Sequence, residues 1–545
     1  MKTVKRYGRI QINAPSDAQW LSVTTPSGTQ ERVPTFDQQA YDFHYDRHGY
    51  EDQTPTGPVD RCARYTPDQE GPYLVSDEKG NVVDEFICTP SEHPGYVMVS
   101  GKDSRYFACS DGSSYVPIGL NLVGCGYDRQ PAGHEHFRAS EALRTTGMIQ
   151  WRRWLSELHA VGANYVRIWL SNRYTEARTE IMGVHDLAAF ARLDRIMDLA
   201  RQYDIRVKLC LEHFRTFTDT GHFAYKRVVD ADNGRQLTDV EAWFNEDKWN
   251  RRWLEDIAPY LARYHNDPVV FSWELWNEID CGDACFDSVE RFTRRMLPEV
   301  KQRSPKNLVV NSLGSMDEEH KQQVQDAFAA IPDMDFLQVH RYLDQGAPLA
   351  ICHADPVAFS LDAVRRCSTG TKPLILTETG AVNDRHVGPF RFYPADHGGL
   401  IFDDVTYPPF FCGAAGSGHI WHWDSYVDTQ NLWAHFKPLR DALDGVPVDA
   451  EGFEPFEVQD EQVWLLGLKG KTMTLVLVRS RADRWDHVLR DGRGARPLEQ
   501  IEVPVAGRRA EVFWLHGDSG QLEQHTKGWT LNGFRRGGIL KIQQA

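Results

Sequence analysis

No run of 18 apolar residues occurs in this chain of 545 residues, so no segment is long enough to cross a bilayer as a helix. There is no lysine or arginine block either, and the formal net charge is −16. That argues against nucleic acid or an anionic membrane surface as a partner, because both demand a basic footprint. The opening MKTVKRYGRIQINAPSDAQW has two lysines but no apolar stretch behind them, so it does not read as a secretory signal. The expected location is the cytoplasm. Internal repeats and low-complexity tracts are absent. The ten cysteines are scattered, and the closest pair is Cys281 and Cys285 in CGDAC. No second pair or nearby histidine completes four zinc ligands, so reduced thiols packed as small hydrophobes are expected, with no metal and no cofactor.

What is present is ordinary for a globular protein: 41% hydrophobic and 25% charged residues, in a chain too long for one hydrophobic core. Residues 1–105 lack helical periodicity. The short runs WLSVTT, YLVSD, EFICT and GYVMVSG lie between Pro and Gly punctuation, which suggests a β-sandwich. From about Ser114 to Asp444, strand-like runs alternate with amphipathic ones: YVPIGLNL, NYVRIWL, IRVKLCLEHF, VVFSWEL, NLVVNSL, MDFLQVH, PLILTE and SGHIWHW. Eight apolar strands separated by helices predict a (β/α)8 TIM barrel rather than an open doubly wound sheet. No G-x-G-x-x-G loop follows the first strand, which further weakens the nucleotide-binding alternative. The weakest stretch is 381–415, where Gly, Pro and aromatics obscure any helix. Beyond the boundary stretch DGVPVDAEGFEPFE, the runs VWLLGLKG, MTLVLVRS, AEVFWLHG and GGILKI turn β-like again. The expected division is therefore an N-terminal β-sandwich (1–105), an α/β barrel (106–447) and a C-terminal β-sandwich (448–545).

Two segments carry the chemistry. SWELWNEID ends strand 4 with Glu278, and PLILTETG ends strand 7 with Glu378. Reacting groups of a parallel barrel sit at the C-terminal ends of its strands, and strands 4 and 7 lie across the ring from each other. Two carboxylates facing across a cavity are what glycoside hydrolysis requires. About 5–5.5 Å between them serves a retaining enzyme and about 6.5–9.5 Å an inverting one, and spacing along the chain does not choose. Glu274, four residues before Glu278, would lie roughly 13 Å lower along its strand, a paired structural carboxylate in the barrel floor.

The run Trp276-Asn277-Glu278 on strand 4, with Glu378 on strand 7, resembles the clan A (4/7 superfamily) glycoside hydrolases, especially family 5-like members. The resemblance implies that Glu278 is the general acid/base and Glu378 the nucleophile. It further implies that Arg167 in NYVRIWL holds the nucleophile ionised and that Asn277 hydrogen-bonds a sugar 2-hydroxyl. His340 and Tyr342 of HRY match a His-x-Tyr on strand 6, and Trp421 of GHIWHWD matches the aromatic floor, with Trp423 as the same-parity alternative. PGYVMVSGKDSRYFACSDGSSYVPIGLNL resembles the junction between an immunoglobulin-like domain and the barrel in bacterial sugar hydrolases. One departure is that ID follows the acid/base where many family 5 enzymes have proline. The residues also make sense unaided. Arg167 and the Tyr342 hydroxyl would keep Glu378 charged, while Glu278, beside Trp276 and facing a carboxylate, would be pushed toward its protonated form.

Specificity rests with the loops. Those after strands 1 (about 122–148), 3 (about 213–245) and 7 are long, and His213, Trp243 and Phe244 are candidate rim contacts. Such walls favour an exo-acting retaining β-glycosidase for oligosaccharides or glycosides. The alternatives are an endo-acting β-glucanase or β-mannanase and, from another class, an inactive carbohydrate-binding protein. A metal-dependent hydrolase would want H-x-H after strand 1, where NLVGCGY stands. The sequence leaves a homo-oligomer open.

Overall fold

The computed structural model describes residues 2–544 except 127–143, 180–182, 214–232, 235, 236, 238, 387 and 495. Its centre is a (β/α)8 barrel. Five strands pair in parallel in the order β1 (Gly119–Asn121), β2 (Tyr165–Trp169), β3 (Arg206–Cys210), β4 (Val270–Glu274) and β5 (Leu308–Val310). A second parallel pair follows, β6 (Leu337–His340) and β7 (Leu374–Glu378), and the Asp335 amide donates to the Val309 carbonyl at 3.1 Å across the join. Every residue of these strands is buried, which explains why they read as near-continuous apolar runs rather than alternating ones. Gly119 is required where it stands, because a Cβ would collide with the Tyr165 carbonyl of the neighbouring strand.

The eighth strand expected at SGHIWHW is reduced to a single bridge between Thr379 and Ile420. The chain still closes the ring. Ala415 and His419 amides donate to Leu374 and Leu376 carbonyls at 2.8 and 2.9 Å, and the Asn121 amide donates to the Ile420 carbonyl at 3.1 Å. The ladder stays short because Pro117, opposite Ser417, has no N–H to give. The segment GYVMVSG, read with the N-terminal strands, pairs instead with Phe107–Cys109. Phe107 meets Phe271 and Phe336 edge-on at 5.2 and 5.6 Å, so this small sheet packs against the barrel core.

The helices follow their apolar spacing. α1 (Met148–Ala160) buries Trp151, Trp154, Leu155 and Leu158. α2 (Leu187–Gln202) starts at Asp186, whose carboxylate accepts from the Ala188 amide. α3 (Val240–Asn245) and α4 (Asp247–Arg263) come next, with α4 burying Trp249, Trp253, Ile257 and Tyr260; such stripes dock a helix on a sheet. α5 (Phe286–Arg303), α6 (Lys321–Ala329) and α7 (Pro356–Cys367) complete the series up to β7. In the stretch where no helix was legible, the structure has α8 (Leu400–Thr406) and α9 (Pro408–Phe411), buried throughout. Helices buried all round, like these, show no amphipathic period. Among the described residues no helix is long and apolar enough to cross a membrane.

Residues before the barrel form a five-stranded and a three-stranded sheet, sharing a core of Ile12, Leu21, Val23, Val33, Tyr65, Val75 and Phe86. The longest strands, Phe36–Tyr45 and Glu51–Tyr65, make a hairpin too polar to read as strands in the sequence. It runs along the barrel wall. Arg64 grips Asp194 of α2 at 2.6 and 2.8 Å, and Arg263 and the Tyr264 hydroxyl donate to the same carboxylate at 2.9 and 2.7 Å. At the hairpin's far end Glu51 accepts from the Met148 amide at 2.7 Å and from the Tyr174 hydroxyl at 2.6 Å. A carboxylate at a helix N-terminus satisfies orphan amides and complements the dipole. Beyond the barrel, a five-stranded and a three-stranded antiparallel sheet share a second core. Arg479 and Arg536 of this region pair with Asp404 and Asp403 of α8 at 2.5 and 2.6 Å.

Burial pushes the Asp194 carboxyl up, but Arg64 and Arg263 outweigh it and hold the group well below the ordinary carboxylate range. Asp194→Ala strands two buried guanidinium groups, a change that typically costs about 3–5 kcal/mol. The expected result is a lower thermal unfolding midpoint at pH 7, with the gap to the parent protein narrowing as acidification approaches the folded-state pKa.

Candidate active site

The site is assembled around a guanidinium. Arg167 on β2 is wholly buried. Its Nε and Nη2 donate to the two oxygens of Glu274 at 2.7 and 2.9 Å. Nη1 donates to Glu378 Oε1 and, at 3.3 Å, to Asn121 Oδ1, while Nη2 also reaches Asn277 Oδ1 at 2.6 Å. A buried cation is tolerated only when its partners replace water, and here they do. Burial works against the charge, but Glu274 and Glu378 outweigh it and raise the guanidinium pKa well above its usual value. Glu274 also lies 3.3 Å from Lys208 and accepts from Gln338 at 3.2 Å. Burial would raise its carboxyl, but Arg167 and Lys208 hold it well below the ordinary range. Lys208 itself is lowered by burial to about 8. The barrel interior thus holds two cations among two carboxylates.

Glu378, last residue of β7, has its other oxygen 2.7 Å from the donating Tyr342 hydroxyl. Glu278 lies just beyond β4. His340 Nδ1 is 2.8 Å from Glu278 Oε1 and 3.6 Å from Glu378 Oε2, and an oxygen of each carboxylate lies within 4.8 Å of the other and of the imidazole. Burial first, and then the nearby charge of Asp280, pushes Glu278 up to about 7. Burial also lowers His340 to about 4, so a neutral ring bridges the pair. Glu278 occupies the left-handed region (φ 51°, ψ 54°), with its amide donating to Ser312 Oγ at 3.0 Å. Such a conformation costs a non-glycine residue on the order of 1–3 kcal/mol and is characteristic of functional positions.

The aromatic expectations divide. Trp421 is partly exposed, tilted on Trp169 at 4.9 Å and edge-on to Trp423 at 5.7 Å. Trp423, the parity alternative, is core. Trp276 does not line the site: it is fully buried against Phe244 at 5.4 Å and Phe292 at 6.3 Å, because the chain turns after β4 and sends it toward the helices. His213 is not a rim contact either. It is buried, stacked on Trp169 at 4.9 Å and bonded to Ser171 Oγ at 2.5 Å. Trp243 and Phe244 are buried in α3 for the same reason, as helix-packing faces. Most of the loops after strands 1 and 3 lie outside the described residues. Sequence reasoning missed Asn121, whose amide donates to the Thr377, His419 and Ile420 carbonyls at 3.1–3.2 Å. It also missed Trp169, Asp280, Ser312, Asp344 and His386. Only Asn121, at the end of an apolar strand, carried a signal that could have found it.

Among the described residues two sets offer metal-ligating atoms within 4.8 Å of one another, Glu278/His340/Glu378 and Asp317/Asp344/His386. The first is the facing pair itself, already bridged by the imidazole. In the second, His386 Nδ1 is taken by Asp344 at 2.5 Å.

A carboxyl raised from its ordinary value of 4.5 to about 7 binds more protons folded than unfolded between those limits. Stability therefore falls as pH rises through that window, by up to about 3 kcal/mol for this group. Glu278→Gln cannot ionise. Its unfolding midpoint should gain on the parent protein between pH 5 and pH 8, and a constant difference would contradict the environment described.

No family model matches the chain. Over 208 residues it is 27% identical to mannan endo-1,4-beta-mannosidase 3 of Oryza sativa subsp. japonica, covering 36% of this chain and 44% of that protein. Over 262 residues it is 25% identical to mannan endo-1,4-beta-mannosidase F of Aspergillus clavatus, covering 45% and 56%. The chain therefore spans about half the length of the curated relatives it matches. A crystal structure from Bacteroides vulgatus ATCC 8482, provisionally assigned as a glycoside hydrolase, covers all of both chains with a TM-score of 0.54 at 14% identity, which is a likeness of fold. The barrel thus has the fold of that glycoside hydrolase, and parts of the chain resemble the mannan endo-1,4-beta-mannosidases.

Proposed function

We propose that this protein hydrolyses β-mannosidic bonds with retention of anomeric configuration, Glu378 serving as nucleophile and Glu278 as general acid/base. The observation that carries the reading is the close approach of two carboxyl groups, oxygen to oxygen within 4.8 Å, in opposed environments. Retention needs carboxyls about 5–5.5 Å apart, and inversion a wider gap for a water. One partner touches a guanidinium, and the other is pushed up to about 7.

In the first step Glu378 attacks the anomeric carbon, the bond to the leaving oxygen breaks, and that oxygen takes the Glu278 proton. A glycosyl ester on Glu378 results. Glu278, now a carboxylate, then takes a proton from a water whose oxygen attacks the same carbon and releases Glu378. Asn277 Oδ1 is held by Arg167, which fixes the amide so that Nδ2 can donate to the 2-hydroxyl. Trp421 supplies the floor for the sugar ring.

The substrate part of the proposal rests on the relatives, whose names specify mannan endo-1,4-β-mannosidase. Those names also favour internal cleavage as the second reading. Removal of terminal units is preferred because the N-terminal hairpin meets the loop after strand 1, where Glu51 N donates to Thr145 O at 2.7 Å. β1, which leads into this loop, is separated by β2 and β3 from β4, after which Glu278 stands. The substrate is thus read as an oligosaccharide or glycoside bound by its end.

Incubation with mannopentaose should release mannose and mannotetraose first. Initial mannobiose and mannotriose would overturn the terminal mode alone. Glu378→Gln should lose on the order of 10⁴-fold or more in kcat/KM. Glu278→Gln should lose about 10²–10⁴-fold on oligosaccharides and far less on a dinitrophenyl glycoside, whose leaving group needs no proton. In the parent enzyme kcat/KM should fall as pH rises through about 7, where Glu278 gives up the proton it must donate. Full activity of Glu378→Gln would refute the assignment.

A further inference from the structure

Beside the Glu278/Glu378 pair, the ends of β5, β6 and β7 build a second group that the two-carboxylate chemistry does not use. Its centre is His386, in the loop after β7. The histidine backbone is left-handed (φ 59°), a region that only glycine enters without strain. A turn holds it there: the His386 amide donates to the Asn383 carbonyl at 2.9 Å, and the Asn383 amide donates to the Gly388 carbonyl at 3.2 Å. The ring is clamped from the other side. His386 Nδ1 lies 2.5 Å from Oδ2 of Asp344, whose other oxygen accepts from the Gly346 amide at 2.8 Å. The Asp344 side chain is 2% exposed and that of His386 45% exposed, so a buried anchor carries a half-open imidazole. The outer edge, Nε2, has one long contact among the described residues, 3.4 Å to Ser315 Oγ.

The ring's position gives this arrangement a purpose. It stands edge-on to Tyr342 at 6.1 Å between ring centres, the tyrosine that bonds Glu378. It is also close enough to Glu278 for each to feel the other's charge. The general acid has to lie against the bond that breaks, so side chains grouped beyond it toward β5–β7 face the departing sugar. Trp421 and Trp169 lie toward β8 and β2, on the side of the unit that becomes covalently bound. We infer that His386, clamped by Asp344, binds the sugar unit on the leaving-group side, its Nε2–H donating to a hydroxyl of that unit; this rests on the hydrolase reading above. The clamp favours the charged form of the donor. The Asp344 hydrogen bond raises the imidazole above its ordinary range against the pull of burial, with Asp317 at 3.8 Å and Glu278 adding to the effect. Lys321, 3.5 Å from Asp280, is the opposing cation packed nearby, and Arg385 precedes the histidine in its own loop.

The test compares two substrates in the full-length enzyme, mannotriose and 2,4-dinitrophenyl β-mannoside. His386→Gln and Asp344→Asn should each lower kcat/KM on mannotriose by about 10- to 100-fold, the range of one hydrogen bond involving a charged group. The dinitrophenyl glycoside, which offers no leaving-side hydroxyl, should change by less than about threefold on the same argument. His386→Gly guards against misfolding. Glycine suits the left-handed backbone and offsets part of the loss of the Asp344 contact, so the variant should still unfold cooperatively while the mannotriose defect persists. In the variants the glycosyl-enzyme should also lose its acceleration by added mannose as acceptor. An active parent enzyme whose variants fall equally on both substrates, or on neither, overturns the inference alone. A parent enzyme inactive on both substrates overturns the hydrolase reading and this inference with it.

Discussion

One buried guanidinium organises this barrel. Arg167 cannot sit in the dry interior without compensation, and it draws Glu274 and Glu378 to opposite edges of its planar fork, with Asn121 and Asn277 taking remaining donors. Planarity matters as much as charge, because a lysine at this place could not present fixed donors to four partners at once. The end of β7 is therefore positioned by a group on β2, and Asn277 beyond β4 by the same group. Geometry at the mouth is inherited from electrostatics inside the ring.

Two carboxyl groups of one chemical type face each other in different settings. Glu378 lies against a cation and a tyrosine hydroxyl. Glu278 lies in a half-buried place with Asp280 as its first charged influence and a neutral imidazole as its bridge. Separating the protonation of two neighbouring acids is the usual route by which one pocket does both acid and nucleophilic work near neutral pH. The strained backbone of Glu278 fits this arrangement, since an ordinary extended residue there would continue the strand instead of turning its carboxyl across the mouth.

The flanking sheets are more than attachments. The N-terminal hairpin lies along α2 and α4 and ends by capping α1, so its Glu51 holds the helix that follows the first barrel loop. The C-terminal sheets grip α8, which follows the loop carrying His386. Loops that hang between rigid elements are mobile by default. Here both ends of the barrel mouth are tethered to independent cores.

The amino-acid order alone determined the barrel and the pair of glutamates. Buried parallel strands must be apolar throughout, and a charged residue ending such a run, as Glu278 and Glu378 do, stands out against it. Arg167 was legible for the same reason, and His340 and Tyr342 through the family resemblance. Other features had no local signature. The hairpin Phe36–Tyr65 is polar because it is half-exposed, and α8 and α9 are buried all round, so neither shows a period. The directions of Trp276, His213 and Trp243 depend on how the chain turns after each strand, and only the tertiary structure decided them. The same holds for the gap between the two carboxyls and for the meeting of His386 with Asp344. Those distances arise from closing a ring whose strands lie far apart along the chain, and no one-dimensional spacing encodes them.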